Sequence, residues 1–116
     1  KELTVGSVDE IEIKGGFFDF EGKYEMKDAA IHCPARIDKD LFEKARAMAV
    51  KAYRAMNCSG MTRVDMFVTP QHTIVFNELN TIPGFTATSR YPSMMKEIGI
   101  DFPQLIDELV NLAMNK

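Results

Sequence analysis

The sequence predicts an α+β domain, with a mainly antiparallel sheet packed by helices. Short β-rich runs are separated by turn residues, one long amphipathic helix interrupts them, and two further helical segments close the chain. At 116 residues the chain is one domain or part of one. Residues 3–13 carry Val5, Val8, Ile11 and Ile13 in loose alternation and predict a strand or hairpin. Gly15-Gly16 ends that run, and Phe17 to Lys27, aromatic and charged without a clean period, reads as a long structured loop. Ala29 to Cys33 is a short strand ended by Pro34.

Asp38 opens the clearest helix. Leu41, Phe42, Ala45, Met48, Ala49, Ala52, Tyr53 and Met56 fall on one helical face, and Lys39, Glu43, Lys44, Arg46, Lys51 and Arg54 fill the other. Asp38 is placed to accept first-turn amides, and Asn57 suits a left-handed C-terminal cap. Residues 61–69 and 73–80 predict two strands joined by Pro70-Gln71-His72. Thr81 to Ser89 is a loop broken by Pro83-Gly84, a short helix follows Pro92 and ends at Gly99, and Met94-Met95 is expected to pack on the last helix. That helix opens at Asp101, with Gln104 completing a capping box, and is expected to bury Leu105, Ile106, Leu109, Val110, Leu112 and Ala113.

Composition narrows the function. A net charge of -3 argues against nucleic acid as a partner, since such proteins carry a basic patch or stripe. No apolar stretch is long enough to cross a bilayer, and Lys1-Glu2-Leu3-Thr4 lacks a signal-peptide pattern. Cys33 and Cys58 are too few for a disulfide framework or metal set and read as reduced cytosolic thiols. His32 and His72 have no partner at metal spacing and read as structural or solvated.

Chemistry concentrates on the hairpin. Residues two apart on a strand share a face, so Arg63 and Asp65 point one way, as do Glu78 and Asn80. A two-residue connection (71–72) or a four-residue one (70–73) sets Asp65 opposite Glu78 and Arg63 opposite Asn80. Two carboxylates that close call for a cation or a shared proton. Asp65, Glu78 and the Asn80 amide oxygen are all-oxygen donors suited to Mg2+, and Arg63 offers a planar fork for a phosphoryl oxygen. A plainer reading is a solvated face on which Arg63 pairs with Asp65 or Glu78. The turn that follows favours the functional one: Asn80-Thr81-Ile82-Pro83-Gly84-Phe85-Thr86 brings backbone amides beside the carboxylates, and Gly84 permits close approach.

These residues carry a family resemblance. Gly60-Met61-Thr62-Arg63-Val64-Asp65-Met66-Phe67, Asn77-Glu78-Leu79-Asn80-Thr81-Ile82-Pro83-Gly84-Phe85-Thr86 and Ser89-Arg90-Tyr91-Pro92 resemble the C-terminal signature of D-alanine–D-alanine ligases and their vancomycin-resistance relatives, enzymes of the ATP-grasp superfamily. Phe18-Asp19-Phe20-Glu21-Gly22-Lys23-Tyr24 resembles their ω-loop, here residues 15–28. The resemblance covers essentially the whole chain. It implies that residues 1–116 form the C-terminal half of an ATP-grasp domain, with the N-terminal and central domains preceding it. Asp65, Glu78 and Asn80 would hold two Mg2+ ions (Mn2+ as a substitute), with Glu78 bridging them and touching the nucleotide. Arg63 and the Gly84 amide would stabilise the tetrahedral intermediate, Lys23 would reach the ATP phosphates, and Tyr24 would close the site. Ser89 and Arg90 would bind the second substrate, with Phe20 leaving room for its side chain.

The implied activity is ATP-dependent ligation of D-alanine to a second D-amino acid through a D-alanyl phosphate, in cytoplasmic peptidoglycan precursor synthesis. Lys23-Tyr24 resembles the peptide-forming members. Ser89-Arg90-Tyr91-Pro92, Gly16-Phe17-Phe18-Asp19-Phe20 and Pro34-Ala35-Arg36-Ile37-Asp38 resemble the D-alanine–D-serine ligases of vancomycin resistance. The Arg90 guanidinium can offer a hydrogen bond to a serine hydroxyl; the plainer reading is that it binds only the carboxylate, or a surface acid. Plain D-alanine–D-alanine ligation and a non-catalytic ATP-grasp-like domain are the alternatives. The resemblance further implies a homodimeric full-length protein, and an isolated fragment without activity.

Overall fold

The computed structural model describes residues 3–13 and 29–115. The segment expected to form the ω-loop, with Phe20, Lys23 and Tyr24, lies outside them. Two antiparallel strand pairs, β1 (Glu10–Ile13) with β2 (Ala29–His32) and β3 (Arg63–Val68) with β4 (Ile74–Asn80), combine with helices α1 (Lys39–Ala55), α2 (Arg90–Glu97) and α3 (Phe102–Met114). This is the α+β class that the pattern predicts. No helix among the described residues is long and apolar enough to cross a membrane.

The first expected strand is shorter than its alternation suggests, because only Glu10–Ile13 pairs with β2. Residues 5–9 are held instead by single bonds to separate elements. Arg46 donates to the carbonyls of Val5 (2.8 Å) and Gly6 (3.1 Å), and the Ser7 amide donates to Met94 (3.1 Å). The Ala35 amide donates to Val8 (2.8 Å). Four backbone groups of this segment thus find partners outside any ladder, and the extended path persists on them. Met95 packs here, its sulfur 2.8 Å from where a Cβ on Gly6 would stand, so its contact with the N-terminal segment supplements any with α3.

A charge cluster clasps β1 to the segment after β2. Arg36 grips both Glu10 oxygens (2.9 and 3.1 Å) and His32 meets Glu12 at 3.1 Å. Arg36 holds the Glu10 carboxyl below its usual range of about 4.5. The stability this contributes is present above pH 4.5 and fades as pH falls through the lowered folded value. Glu10→Gln should flatten the acid side of a melting-temperature-against-pH curve; an unchanged slope would place the acid sensitivity elsewhere.

The helix signals read from sequence hold at the termini. The Asp38 carboxylate accepts from the Leu41 amide at 2.8 Å, Asp101 accepts from Gln104 at 3.0 Å, and Asn57 adopts φ 54° just past α1. Burial is thinner than the periodicity implies. Among the described residues the buried apolar side chains are Leu41, Ala45, Met95 and Leu105 with Pro83 and Pro92, whereas Ile106, Val110, Leu112 and Ala113 on α3, with Met56 at the end of α1, are exposed. Helical period identifies an apolar face; it carries no information on whether anything covers that face.

The β3–β4 hairpin has a compensated register. The turn is neither of the two expected lengths: Thr69 and Thr73 flank the three residues Pro70-Gln71-His72, with His72 at φ 62°. From that turn Val68 pairs with Ile74, Phe67 with Val75, and Met66 with Phe76. The register then shifts, Asn77 has no opposite residue, and Asp65 meets Glu78 while Arg63 meets Asn80. The β-bulge restores the alignment that an even-length turn would have given directly.

Candidate active site

One face of the hairpin carries Arg63, Asp65, Glu78 and Asn80, the four residues expected to converge. Arg63 forms a two-pronged bridge to Asp65, its Nε donating to Oδ1 at 2.8 Å and its Nη2 to Oδ2 at 2.9 Å. The plainer pairing anticipated for Arg63 therefore exists, and Asp65 raises the Arg63 pKa above its usual range. Glu78 lies directly opposite Asp65 and is exposed. The Asn80 side-chain oxygen accepts from the Ile82 amide at 3.0 Å, which folds the chain into the next turn.

Whether this set suits a divalent cation follows from its spare lone pairs. The bridge to Arg63 occupies one site on each Asp65 oxygen, and the turn takes one of the two on Asn80. Acceptor capacity remains on both, next to a second carboxylate, and all the donors are hard oxygens. Asp65, Glu78 and Asn80 fit Mg2+. Among the described residues no group of three His, Cys, Asp or Glu side chains is arranged to hold a metal, so the amide of Asn80 is needed to complete the set.

The loop after β4 is pinned by its apolar residues. Pro83 is buried, and the Phe85 ring packs on Phe102 (centroids 5.2 Å apart) and Tyr91 (6.4 Å). Between them Gly84 faces Ser89, whose Oγ lies 3.2 Å from where a Cβ on Gly84 would stand. Glycine is thus favoured by a neighbour in the chain itself, beside the ligand approach the sequence suggested. Gly84→Ala should destabilise the protein by about 1 kcal/mol through that contact, read as a lower melting temperature. An unchanged melt would show that Ser89 yields freely.

Helix α2 begins at Arg90, three residues before the expected start, with Pro92 inside its first turn. The Arg90 Nε donates to Asp9 Oδ2 at 2.6 Å, and Nη1 reaches the Thr88 carbonyl at 3.4 Å. The side chain of Asp9 is only 8 % exposed. Burial pushes its carboxyl above the usual range although Arg90, and Arg63 from further off, pull it down. The charges of Arg63 and Asp65 both act on Asp9, so the Arg90 pair and the hairpin face belong to one electrostatic cluster. Sequence reasoning missed Asp9. It stands beside Glu10 and Glu12 with nothing in the spacing to single it out, and its partner is 81 residues away.

The face also has an apolar end. Phe67 follows Arg63 and Asp65 in the alternation and pairs with Val75; both are exposed, at 59 % and 45 %.

Comparison with known proteins fits this geometry. Residues 1–111 match the family model described as D-ala D-ala ligase C-terminus. The D-alanine–D-alanine ligase of Prosthecochloris aestuarii is 49 % identical over 110 residues, covering 92 % of this chain and 30 % of that protein. Among solved structures, the VanG D-Ala:D-Ser ligase from Enterococcus faecalis superimposes with a TM-score of 0.84 at 56 % identity, over 96 % of this chain and 32 % of that one. The Bacillus anthracis D-alanine–D-alanine ligase complexed with ATP gives a TM-score of 0.76 at 26 % identity, covering 95 % and 36 %. The chain spans about a third of the length of the relatives it matches. With the fold, the hairpin signature and the family model in agreement, the chain belongs to the D-alanine–D-alanine ligase family and corresponds to its C-terminal region.

Proposed function

We propose that the protein carrying this chain ligates D-alanine to a second D-amino acid, D-serine by preference, using ATP. The observation that carries the reading is the opposed pair Asp65 and Glu78, flanked by Arg63 and Asn80 and followed by the Gly84 turn. In this reading Asp65, Glu78 and Asn80 would hold the two Mg2+ ions, Glu78 being shared by both. The ions supply charge neutralisation for the nucleotide phosphates. The exposed Phe67–Val75 pair beside the charged residues supports a nucleotide, which has a charged end and a flat apolar end.

The chemistry assigned is transfer of the ATP γ-phosphoryl group to the carboxylate of the first D-alanine, giving an acyl phosphate and ADP. The amine of the second amino acid attacks the acyl carbon, loses a proton, and inorganic phosphate leaves. Arg63 and the Gly84 amide face the oxygen on which negative charge develops. Ser89 and Arg90 receive the second amino acid, and Lys23, Tyr24 and Phe20 act from the 15–28 segment. D-serine is favoured because Asp9 holds one edge of Arg90, fixing where its other donors point. The similarity to VanG points the same way. The setting we assign is cytoplasmic cell-wall precursor synthesis linked to vancomycin resistance, by a homodimer of the full-length protein; the 116 residues alone would be inactive.

Plain D-alanine–D-alanine ligation is the second reading, favoured by the Prosthecochloris relative. Phosphate release by the full-length protein, measured with D-alanine alone and with D-alanine plus D-serine, separates them. Faster release with D-serine present supports the first reading. Release unaffected by D-serine supports the second, and no release under either condition removes the ligase assignment.

A further inference from the structure

Ser89 occupies the N-cap position of α2 with extended backbone (φ -69°, ψ 157°), yet its side chain makes no capping bond. A capping serine normally accepts from the second or third helical amide, and here the third residue is Pro92, which has no N–H. The hydroxyl turns back to Thr86 instead. It accepts from the Thr86 amide at 3.0 Å and lies 2.7 Å from the Thr86 hydroxyl, while the Ser89 amide donates to the Thr86 carbonyl at 3.1 Å. Gly84 leaves the space in which the Ser89 oxygen sits.

A hydroxyl oxygen has two acceptor positions and one proton to donate. With the Thr86 amide in one acceptor position and the Thr86 hydroxyl in the other, Ser89 has only its own proton left to offer. A serine in that state is a dedicated donor, matched to a carboxylate oxygen. The reverse arrangement, Ser89 donating to Thr86, would leave Ser89 presenting a lone pair, which a carboxylate rejects.

We propose that Thr86 is a positioning residue: its hydroxyl and amide fix Ser89 as a hydrogen-bond donor to the carboxylate of the second D-amino acid. The inference rests on the substrate role given to Ser89 in the proposed function. Thr86 acts through Ser89 and touches no reacting atom.

The test is steady-state kinetics of the full-length protein with the second amino acid varied, for wild type, T86V, T86S, S89A and the T86V/S89A double variant. T86A replaces T86V if valine disturbs the turn. T86V is expected to raise the KM for the second amino acid about ten-fold, the scale of one weakened hydrogen bond to a charged group, with kcat changed less than about three-fold. T86S restores the hydroxyl and should stay within about two-fold of wild type. In the S89A background the valine substitution should add nothing, since its only route of action is gone. Equal losses in T86S and T86V, additive effects in the double variant, or an unchanged KM in T86V would each overturn the proposal while leaving the ligase reading intact. A wild-type protein that turns over no pair of D-amino acids would take both down.

Discussion

Glu78→Gln is expected to lower turnover of the full-length protein by at least about 10²–10³-fold with little change in melting temperature. Glu78 faces Asp65 in the ladder and is exposed, so the substitution removes one of two opposed carboxylates without opening the core. An uncharged amide keeps the size and one oxygen but loses the charge that two divalent ions and a phosphoryl group require between them. Single-turnover phosphate release with a parallel thermal melt separates the alternatives. Near-normal turnover would remove the metal-bridging role. A fall of several degrees in the melt with activity retained would assign Glu78 to holding the hairpin.

Asp9→Asn is expected to shrink the preference for D-serine over D-alanine about ten-fold, a hydrogen-bond-scale discrimination, with little loss of stability at neutral pH. The raised pKa of Asp9 means that its ionised form is disfavoured in the fold despite Arg90 at 2.6 Å. The pair therefore sets the position of Arg90 more than it adds stability. Its pH signature is opposite to that of its neighbour Glu10. The contribution of Asp9 is fully present below the ordinary value of 3.8 and is lost as pH rises through the higher folded value. Competition kinetics with both amino acids, and melts across the acid range, read the two effects. A variant that keeps full D-serine preference would reduce Asp9 to a packing residue.

Much of the molecule was legible because the deciding signals are local. Asp38, Asn57 and Asp101 act within one helical turn, and the alternation of Arg63, Asp65, Glu78 and Asn80 needs only strand geometry. The hairpin alignment was right for an incomplete reason, since the turn holds an odd number of residues and a bulge at Asn77 makes up the difference. A bulge depends on what each side of the strand packs against, and turn length alone does not reveal it. Asp9 was invisible because its meaning lies in Arg90, and the extended segment around it owes its shape to Arg46, Met94 and Ala35. Ile106 and Val110 show the opposite failure, an apolar face correctly found and incorrectly assumed to be covered.

The bulge has a further consequence for how β4 can vary. On its turn side, Ile74 and Phe76 border the same grooves as Leu41, Met48 and Met56 of the helix beneath. In an unbroken strand, residues 74, 76, 78 and 80 would share that side, and both Glu78 and Asn80 would be driven into the packing. Asn77 works as a frameshift within the strand, after which even-numbered residues face the opposite way. Deleting this one unpaired residue would leave a regular ladder in which Glu78 follows Phe76 directly and still meets Asp65, so the outward facing depends on Asn77 staying out of the ladder. Whatever draws Asn77 into pairing with β3 would carry both Glu78 and Asn80 to the packed side, so this hairpin holds its charged face only while one residue stays unpaired.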